Sequence, residues 1–208
     1  VAITVGVTPT WADYPSIGAD ASALFVTTNQ YSATNVFRGA NIRVFTKASL
    51  QAGVFGAVDI TYDAAVTFGV STIHPSHVYG STPGGWFPLI NRVTSGLYRL
   101  HYVTGHPAAP VATTTTYAWV GGATPVDAFA DQCMVATPDL ETLATRIQNA
   151  VWQNDHLYCA MTADPDGDAV TEVVWQDIQT NGGPPTAPTI ADSGFIDAGG
   201  DWTYMPAI

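Results

Sequence analysis

Strand-like runs of hydrophobic residues, with turn residues between them, recur along the chain from Val36 to about Val120. The clearest example is the segment 97–103, in which Tyr98, Leu100 and Tyr102 fall on one face and the residues between them fall on the other. This alternation is the period of a β-strand. Shorter apolar runs with turn residues between them lie at 42–45, 54–62, 65–73, 86–90 and 115–120. Short strands that recur at this spacing predict a mainly β fold, either a sandwich or a barrel.

The start of the 97–103 strand carries a more specific pattern. Gly96 belongs to a turn, and Tyr98 and Leu100 follow it in the order Gly-x-Tyr-x-apolar. This order is typical of a tyrosine corner, in which the hydroxyl ties a sandwich strand back to the connection before it. Leu100 stands where an antibody domain has its second cysteine, so we expect no disulfide between the sheets there. The pattern predicts an Ig-like β-sandwich.

One later segment has the period of a helix instead. Thr137 can cap a helix, Pro138 suits its first position, and Asp139 favours the positive end of the helix dipole. Apolar residues then recur at helical spacing, namely Leu140, Leu143, Ile147 and Val151. This stripe predicts one amphipathic helix that runs through Trp152, followed by strands at 157–161 and 169–178.

These patterns divide the chain into four regions. We expect an N-terminal arm over 1–33, an Ig-like β-sandwich over 34–122, a small α+β region over 123–180 and a Pro/Gly-rich C-terminal tail over 181–208. The predicted fold class is therefore mainly β, an Ig-like sandwich with one amphipathic helix in a smaller α+β C-terminal part and extended termini.

The composition adds that this chain is short of charge. Of its 208 residues, 11% are charged and the formal net charge is −11, with 17 acidic residues against 6 Lys and Arg. Nucleic-acid binding requires clustered Lys and Arg, so we expect none. Pro, Gly and polar residues interrupt the longest uncharged windows, 64–91 and 102–126, so no membrane span is predicted. A surface with few charges is common where neighbouring subunits cover it.

The strongest chemical candidate is an acidic turn. Asp164, Asp166 and Asp168 alternate around Gly167, and Glu172 follows. Calcium takes six to eight oxygen ligands, and such a loop supplies several of them, which makes these four acidic residues a candidate calcium site. The spacing is not that of an EF-hand, because the glycine precedes the third Asp and the Glu comes at position nine. The alternative is an acidic turn between two strands, since Asp, Pro and Gly all favour turns.

Histidines offer a second, weaker set of candidates. His74 and His77 lie three residues apart and could ligate zinc, but no Cys or Glu lies close in sequence to complete a site, which favours a hydrogen-bonded loop without metal. Asp59, His74 and His101 are the candidates for a hydrolase assembled from distant residues, although we expect His101 at the surface of its sheet. The local signatures of serine hydrolases, zinc proteases and phosphate-binding loops do not occur. We therefore expect no enzyme and assign no catalytic residue.

Aromatic and cysteine residues leave two alternatives each. Aromatic residues in loops can form a sugar-binding platform, or they can fill the core and anchor interfaces. The aromatic residues concerned are Trp11, Tyr14, Tyr79, Trp86, Phe87 and Trp119. Cys133 and Cys159 flank the predicted helix, and their spacing is compatible with a disulfide or with two buried free thiols.

Two features together resemble the structural proteins of tailed-bacteriophage virions. One is the low-charge, Thr/Ala/Gly-rich Ig-like sandwich with its Gly-x-Tyr strand, and the other is the isolated helix over 139–152. The resemblance implies a non-enzymatic virion protein, first of all a capsid decoration or cement subunit assembled in the host cytoplasm. Its implied partners are the major capsid protein, other virion subunits and further copies of itself, without nucleic acid or membrane. The alternatives are a tail, baseplate or fibre component, or an extracellular glycan-binding module or adhesin.

Overall fold

The computed structural model describes residues 3–5, 8–65, 67, 69–94, 96–118, 142, 145–168, 170–199, 201 and 203–208. Within these ranges the chain is mainly β, as the sequence predicts. The strands, in chain order, are β1 (Ile3–Val5), β2 (Thr8–Ala19), β3 (Ala23–Tyr31), β4 (Phe37–Thr46), β5 (Ala57–Asp63), β6 (His74–Pro75), β7 (His77–Tyr79), β8 (Phe87–Thr94), β9 (Leu97–Thr104), β10 (Val111–Ala118), β11 (Ile147–Gln153), β12 (His156–Ala163), β13 (Glu172–Gln179) and β14 (Thr189–Ile196). The described residues also form a short α-helix, α1 (Lys47–Gln51), and a 3-10 turn at Pro83–Gly85.

The strands form two sheets of unequal size. The larger sheet has the order β14-β13-β12-β11-β7-β2-β3-β4-β5, and β1 pairs with β2. The smaller sheet has the order β10-β9-β8-β6. Pairing is antiparallel except where β7 runs parallel to β2 and to β11. The short strand β7 therefore joins an N-terminal half of the larger sheet, β2–β5, to a C-terminal half, β11–β14.

The smaller sheet lies between these two halves. On one face of β9, Tyr98, Leu100 and Tyr102 pack with Trp152 and other residues of β11–β13. On the other face, β8 and β9 pack against β3 and β4, and Phe25 of β3 stacks on Phe87 at 3.5 Å between ring centroids. Both faces of β8 and β9 are buried as a result, and the body has three layers.

Tyr98 makes a different contact from the one that a tyrosine corner predicts. Its side chain is fully buried, and its hydroxyl donates to Met161 Sδ on β12 at 3.0 Å. The described contact therefore joins the smaller sheet to the C-terminal half of the larger one.

The predicted amphipathic helix is wrong over the residues that the structure describes. Residues Ile147–Gln153 form β11, which pairs with β12 on one side and β7 on the other. A β-bulge lies between Ile147 and Asn149, so Ile147 and Ala150 both face the core although they are three residues apart. Val151, the other described member of the predicted stripe, is only partly buried, so the predicted helical face is not the buried one. The predicted helix start at 137–141 and Leu143 lie outside the described residues.

A second local prediction, the strand over 65–73, is also wrong in its described part, which is turn and coil. Thr72 has a φ of 48°, and its backbone N–H donates to the Asn29 side chain at 2.6 Å. A buried side chain, rather than a neighbouring strand, therefore satisfies this backbone group.

The four regions expected from the sequence all contribute to the larger sheet. Residues 8–31, expected as an arm, instead form β2 and β3 in the interior of that sheet. The range 34–122 is divided between the larger sheet and the smaller one, and 189–196 of the expected tail is strand β14. The larger sheet therefore unites distant parts of the chain.

The turn at Gly182 and Gly183 provides a direct test of the packing beside the smaller sheet. Trp86 Nε1 donates to the Gly182 carbonyl at 3.1 Å, and a Cβ added to Gly183 would lie 2.1 Å from that nitrogen. Both glycines have φ near +80°, but a Cβ at Gly182 would meet no atom within 4 Å.

We predict that Gly183→Ala lowers the free energy of unfolding by about 3 kcal/mol, through a left-handed backbone and overpacking against Trp86. The matched control Gly182→Ala, which has the backbone cost alone, should lose about 1 kcal/mol. Urea unfolding followed by tryptophan fluorescence measures both, and equal losses would contradict the described contact with Trp86.

Candidate functional site

The three aspartates of the predicted calcium site do come together in the structure. They lie in the loop between β12 and β13, residues 164–171, and their carboxylate oxygens are within 4.8 Å of one another. Asp164 is buried, whereas Asp166 and Asp168 are exposed. Three negative charges at this distance repel one another unless a proton or a cation compensates them.

Backbone hydrogen bonds give this loop its shape. The N–H of Gly167 donates to Asp164 Oδ1 at 2.5 Å, and the N–H of Val170 donates to Asp168 Oδ1 at 2.8 Å. Such Asx turns are what Asp residues form in tight connections. The turn geometry is thus explained by local hydrogen bonds alone and does not itself require a metal.

Glu172, the fourth predicted ligand, is buried like Asp164 and unlike the exposed Asp166 and Asp168. It begins β13 opposite Ala163, only 3% of the residue is exposed, and its Oε2 has no hydrogen-bond partner among the described residues. Burial raises the pKa of Glu172 to about 7, and the negative charges of nearby aspartates add to the shift. Ionisation of Glu172 therefore opposes folding, and stability should fall as pH rises from about 4.5 to about 7.

A fifth carboxylate, Asp197, belongs to the same group and was not predicted from the sequence. The antiparallel register pairs Val173 with Ile196, which places Asp197 beside Glu172 at the end of β14. Its charge is one of those that raise the pKa of Glu172. Only the pairing of β13 with β14 brings this residue to the loop, and no local sequence signal marks it.

The two histidines of the candidate zinc site lie on different sheets. His74 is on β6 of the smaller sheet, and its Nδ1 lies 3.0 Å from the Pro75 carbonyl. His77 is on β7 of the larger sheet. Burial lowers the pKa of His74, and the neighbouring His77 adds to this effect. No third ligand completes a cluster with them in the part of the chain that the structure describes.

The three residues considered for a hydrolase face in different directions. His74 is paired with Ile90 and so shares the face of the smaller sheet opposite to His101. Asp59 lies on β5, where its carboxylate binds Arg43 Nε and a second guanidinium nitrogen, both at 2.8 Å. The carboxylate of Asp59 is therefore held in an ion pair with Arg43.

His101 is fully buried, so the expectation of a sheet-surface position is wrong. The second face of the smaller sheet is covered by β3–β5, and His101 lies within that interface. Its Nδ1 is 3.0 Å from the Tyr62 hydroxyl, and its Nε2 is 2.8 Å from Asn91 Oδ1. Because the Asn91 amide nitrogen donates to the Gly69 carbonyl, its oxygen is the acceptor, and His101 Nε2 carries the proton.

Burial lowers the pKa of His101 to about 3, and the positive charge of Arg99 acts in the same direction. Burial also raises the pKa of Tyr62 to about 12. Both side chains are neutral at physiological pH, and they form a hydrogen bond with each other. The arrangement fits a structural link between two layers better than a catalytic base.

The aromatic residues do not form one sugar-binding platform. Trp86 and Phe87 are core residues, in contact with the two halves of the larger sheet. Trp11 is partly exposed and stacks on Tyr31 at 5.1 Å between ring centroids, while Tyr79 is exposed on β7. Trp119 lies outside the described residues, and Tyr14 is partly buried.

Sequence reasoning missed a buried pair formed by Asp20 and His106. The pair borders a cavity of about 230 Å³, and His106 Nε2 lies 2.6 Å from Asp20 Oδ2. His106 Nδ1 lies 3.1 Å from the Val103 carbonyl, so both ring nitrogens face acceptors. The pair joins the β2–β3 turn to the β9–β10 loop. It had no sequence signal, because the two residues are distant along the chain.

Cys159 is a buried free thiol on β12. Burial raises its pKa to about 12, so the thiolate is not available as a nucleophile at neutral pH. The predicted partner or companion thiol, Cys133, lies outside the described residues.

Comparison with known protein families, curated proteins and solved structures finds no match to this chain. The helical segments among the described residues are too short to cross a membrane.

The Asp20–His106 pair predicts a specific acid response. Burial favours a higher pKa for Asp20, but hydrogen bonds from His106 and from the backbone N–H groups of Ala23 and Ser22 outweigh it and lower the pKa to about 2. Because the unfolded pKa is near 3.8, the stability from this ionised carboxylate is complete above about pH 4 and is lost as pH falls towards 2.

We expect wild-type protein to lose about 1–2 kcal/mol from this source between pH 4 and pH 2, after allowance for solvent screening. In Asp20→Asn this part of the pH dependence should disappear, whereas the exposed-residue control Asp13→Asn should keep it. Urea unfolding at a series of pH values provides the measurement. Parallel profiles for wild type and Asp20→Asn would show that the pair does not shift the titration.

Proposed function

We propose that this chain is a non-enzymatic structural subunit of a virion, and specifically a capsid decoration subunit that bridges neighbouring capsid subunits. Its partners in this proposal are the major capsid protein, other virion subunits and further copies of itself, and its assembly takes place in the host cytoplasm. The observation that carries the proposal is the apolar character of the sheet edges.

Three of the strands that end a sheet in the described part of the chain carry exposed apolar residues. These strands are β5 and β14 in the larger sheet and β10 in the smaller one. The exposed apolar side chains on them are those of Val58, Val111, Phe195 and Ile196. Unpaired strand edges are templates for further pairing, and proteins that remain monomeric usually protect them with charges or proline. Apolar, open edges therefore favour a protein whose edges are covered by neighbours.

The β5 edge is the most apolar of these surfaces. Phe55, immediately before β5, is 78% exposed, and Val54 and Val58 are also exposed. The carboxylate of Asp59 on the same strand is neutralised by Arg43, so it adds little net charge to this edge. A neighbouring strand that pairs here would bury apolar side chains and satisfy backbone groups together.

The mechanism in this proposal is mechanical. A stable contact between two subunits buries about 800 Å² on each partner, and edges on opposite sides of one subunit allow it to hold two neighbours at once. The summed contacts would raise the resistance of the shell to internal pressure. The Ig-like identity of the sandwich stays a prediction, and the proposal depends only on the mainly β body and its edges. A tail, baseplate or fibre position would use the same edges.

The proposal is tested by adding the purified chain to undecorated shells of the virus that encodes it. We expect co-sedimentation and a rise of several degrees in the melting temperature of the shell, because each bound copy adds buried interface. Val58→Asp and Phe55→Asp place a charge on the β5 edge and should each weaken binding at least about tenfold.

The matched control is Val36→Asp, which puts the same charge on an exposed valine in the β3–β4 turn, away from the sheet edges. This variant should bind as the wild type does. No binding to shells by the wild-type chain would contradict the decoration role. Equal losses in Val58→Asp and Val36→Asp would contradict the role of the edge.

A glycan-binding module is the second candidate function, and the exposed stack of Trp11 on Tyr31 favours it. If this candidate is correct, the chain binds immobilised glycans and Trp11→Ala loses at least about tenfold in affinity, since the sugar would lose its stacking partner. Glycan-array binding with Tyr79→Ala as the control measures this. An unaltered signal in Trp11→Ala would exclude the stacked pair as the binding surface.

A further inference from the structure

Five carboxylates converge at one corner of the larger sheet, which we call the acidic corner. Its members are Asp164, Asp166 and Asp168, whose carboxylate oxygens lie within 4.8 Å of one another, together with Glu172 at the start of β13 and Asp197 opposite Glu172 in the register of β13 with β14. The β12–β13 loop supplies the first three, the start of β13 supplies the fourth, and the β13–β14 register supplies the fifth. Two separate segments of the chain therefore direct negative charge to one place, in a chain of which only 11% of residues are charged.

The acidic corner contains a buried oxygen for which the described residues offer no donor. Only 3% of Glu172 is exposed, and its Oε2 has no hydrogen-bond partner among the described residues. The adjacent Thr171 Oγ1 is buried and likewise without a partner among the described residues. A buried carboxylate oxygen without a donor is costly, and neighbouring negative charges increase that cost. A positive charge bound among the carboxylates would remove both costs.

We propose that one calcium ion binds at the acidic corner. The ligands that we assign to it are the carboxylates of Asp164, Asp166, Asp168, Glu172 and Asp197. The inference is independent of the virion proposal, because it concerns the isolated chain and its own side chains.

The donor set selects the class of ion. All five ligands are carboxylate oxygens, which hard cations prefer, and no histidine or cysteine is among them. Calcium accepts six to eight oxygens in irregular geometry, which suits ligands that come from a loop and two strand ends. Magnesium requires a near-ideal octahedron and keeps much of its water, so it should bind this corner more weakly.

Calcium at this corner would also stabilise the C-terminal segment. Thr203 Oγ1 accepts from the Val173 N–H at 2.9 Å, and the Thr203 N–H donates to the Thr171 carbonyl at 2.8 Å. The Met205 N–H donates to Thr162 Oγ1 at 3.0 Å. These contacts lie directly beside Glu172, so an ion that holds the start of β13 also supports residues 203–208 and the β14 edge.

The test is calcium titration of the full chain by calorimetry, together with thermal unfolding in EDTA, in calcium and in magnesium at equal ionic strength. We expect one bound calcium and a rise in melting temperature of about 5 °C at saturation, with a smaller rise in magnesium. Asp197→Asn should weaken calcium binding at least about tenfold. Asp192→Asn removes a carboxylate from the same strand, outside the corner, and should bind calcium as the wild type does.

Glu172→Gln provides a signature that a purely structural role would not give. The variant removes a buried, repelled charge, so its melting temperature in EDTA should exceed that of the wild type, while its calcium-induced rise should be smaller. Three results would overturn the proposal. They are a wild-type melting temperature that does not respond to calcium, an equal response to magnesium, and an equal loss of binding in Asp192→Asn and Asp197→Asn. A stabilised Glu172→Gln without any calcium binding by the wild type would assign the corner to a proton instead.

Discussion

The burial of both faces of the smaller sheet is the constraint on which the rest of this structure depends. Most side chains of β8 and β9 are buried on both faces, so they must find partners in one half of the larger sheet or in the other. Apolar side chains fill one interface, with Trp86 edge-on to Trp152, and stacked Phe25 and Phe87 fill the second. The larger sheet can cover both faces only because β7 joins its two halves.

Polar residues within these interfaces follow from the same constraint. His101 and Asn91 lie on buried strands and cannot reach water, so they bond to each other and to Tyr62. Asp20 and His106 likewise bond to each other, at the rim of the interface between the sheets. Buried polar groups that satisfy one another fix the position of the layers more specifically than apolar contacts do, because each hydrogen bond has a narrow range of distance and angle. Both sets join the smaller sheet to the larger one.

The sequence predicts the mainly β character of this protein and its alternating strand, but not its long-range pairings. The alternation at Tyr98, Leu100 and Tyr102 predicts strand β9, and the structure confirms this strand. The opposite face of the strand carries His101, and from the sequence alone that face is expected to be exposed to solvent. Only the presence of a third layer turns that face into an interface. The sequence predicts a helix in place of strand β11 because Ile147 and Val151 continue a helical spacing, but a bulge after Ile147 makes Ile147, Ala150 and Trp152 its buried residues. A bulge depends on the partner strand, which the local sequence does not contain.

The acidic corner shows the same limit. Asp164, Asp166 and Asp168 are close in sequence and therefore close in space, and their proximity could be predicted. The burial of Glu172 and the position of Asp197 depend on how β13 pairs with its neighbours. Neither could be predicted from the sequence. At the sheet edges, likewise, the exposure of Phe55 and Val58 became visible only once the strand order was known.

The central claim is that the larger sheet covers both faces of the smaller sheet and that exposed apolar residues lie on the edge strands β5, β14 and β10. Hydrogen exchange of the chain, free and bound to undecorated shells, tests it most directly. In both states the amides of β8 and β9 should exchange most slowly, since they lie in the middle layer, and on binding the new protection should appear at β5, β14 or β10. Fast exchange in β8 and β9, or protection on binding that leaves all three edge strands unchanged, would contradict the account.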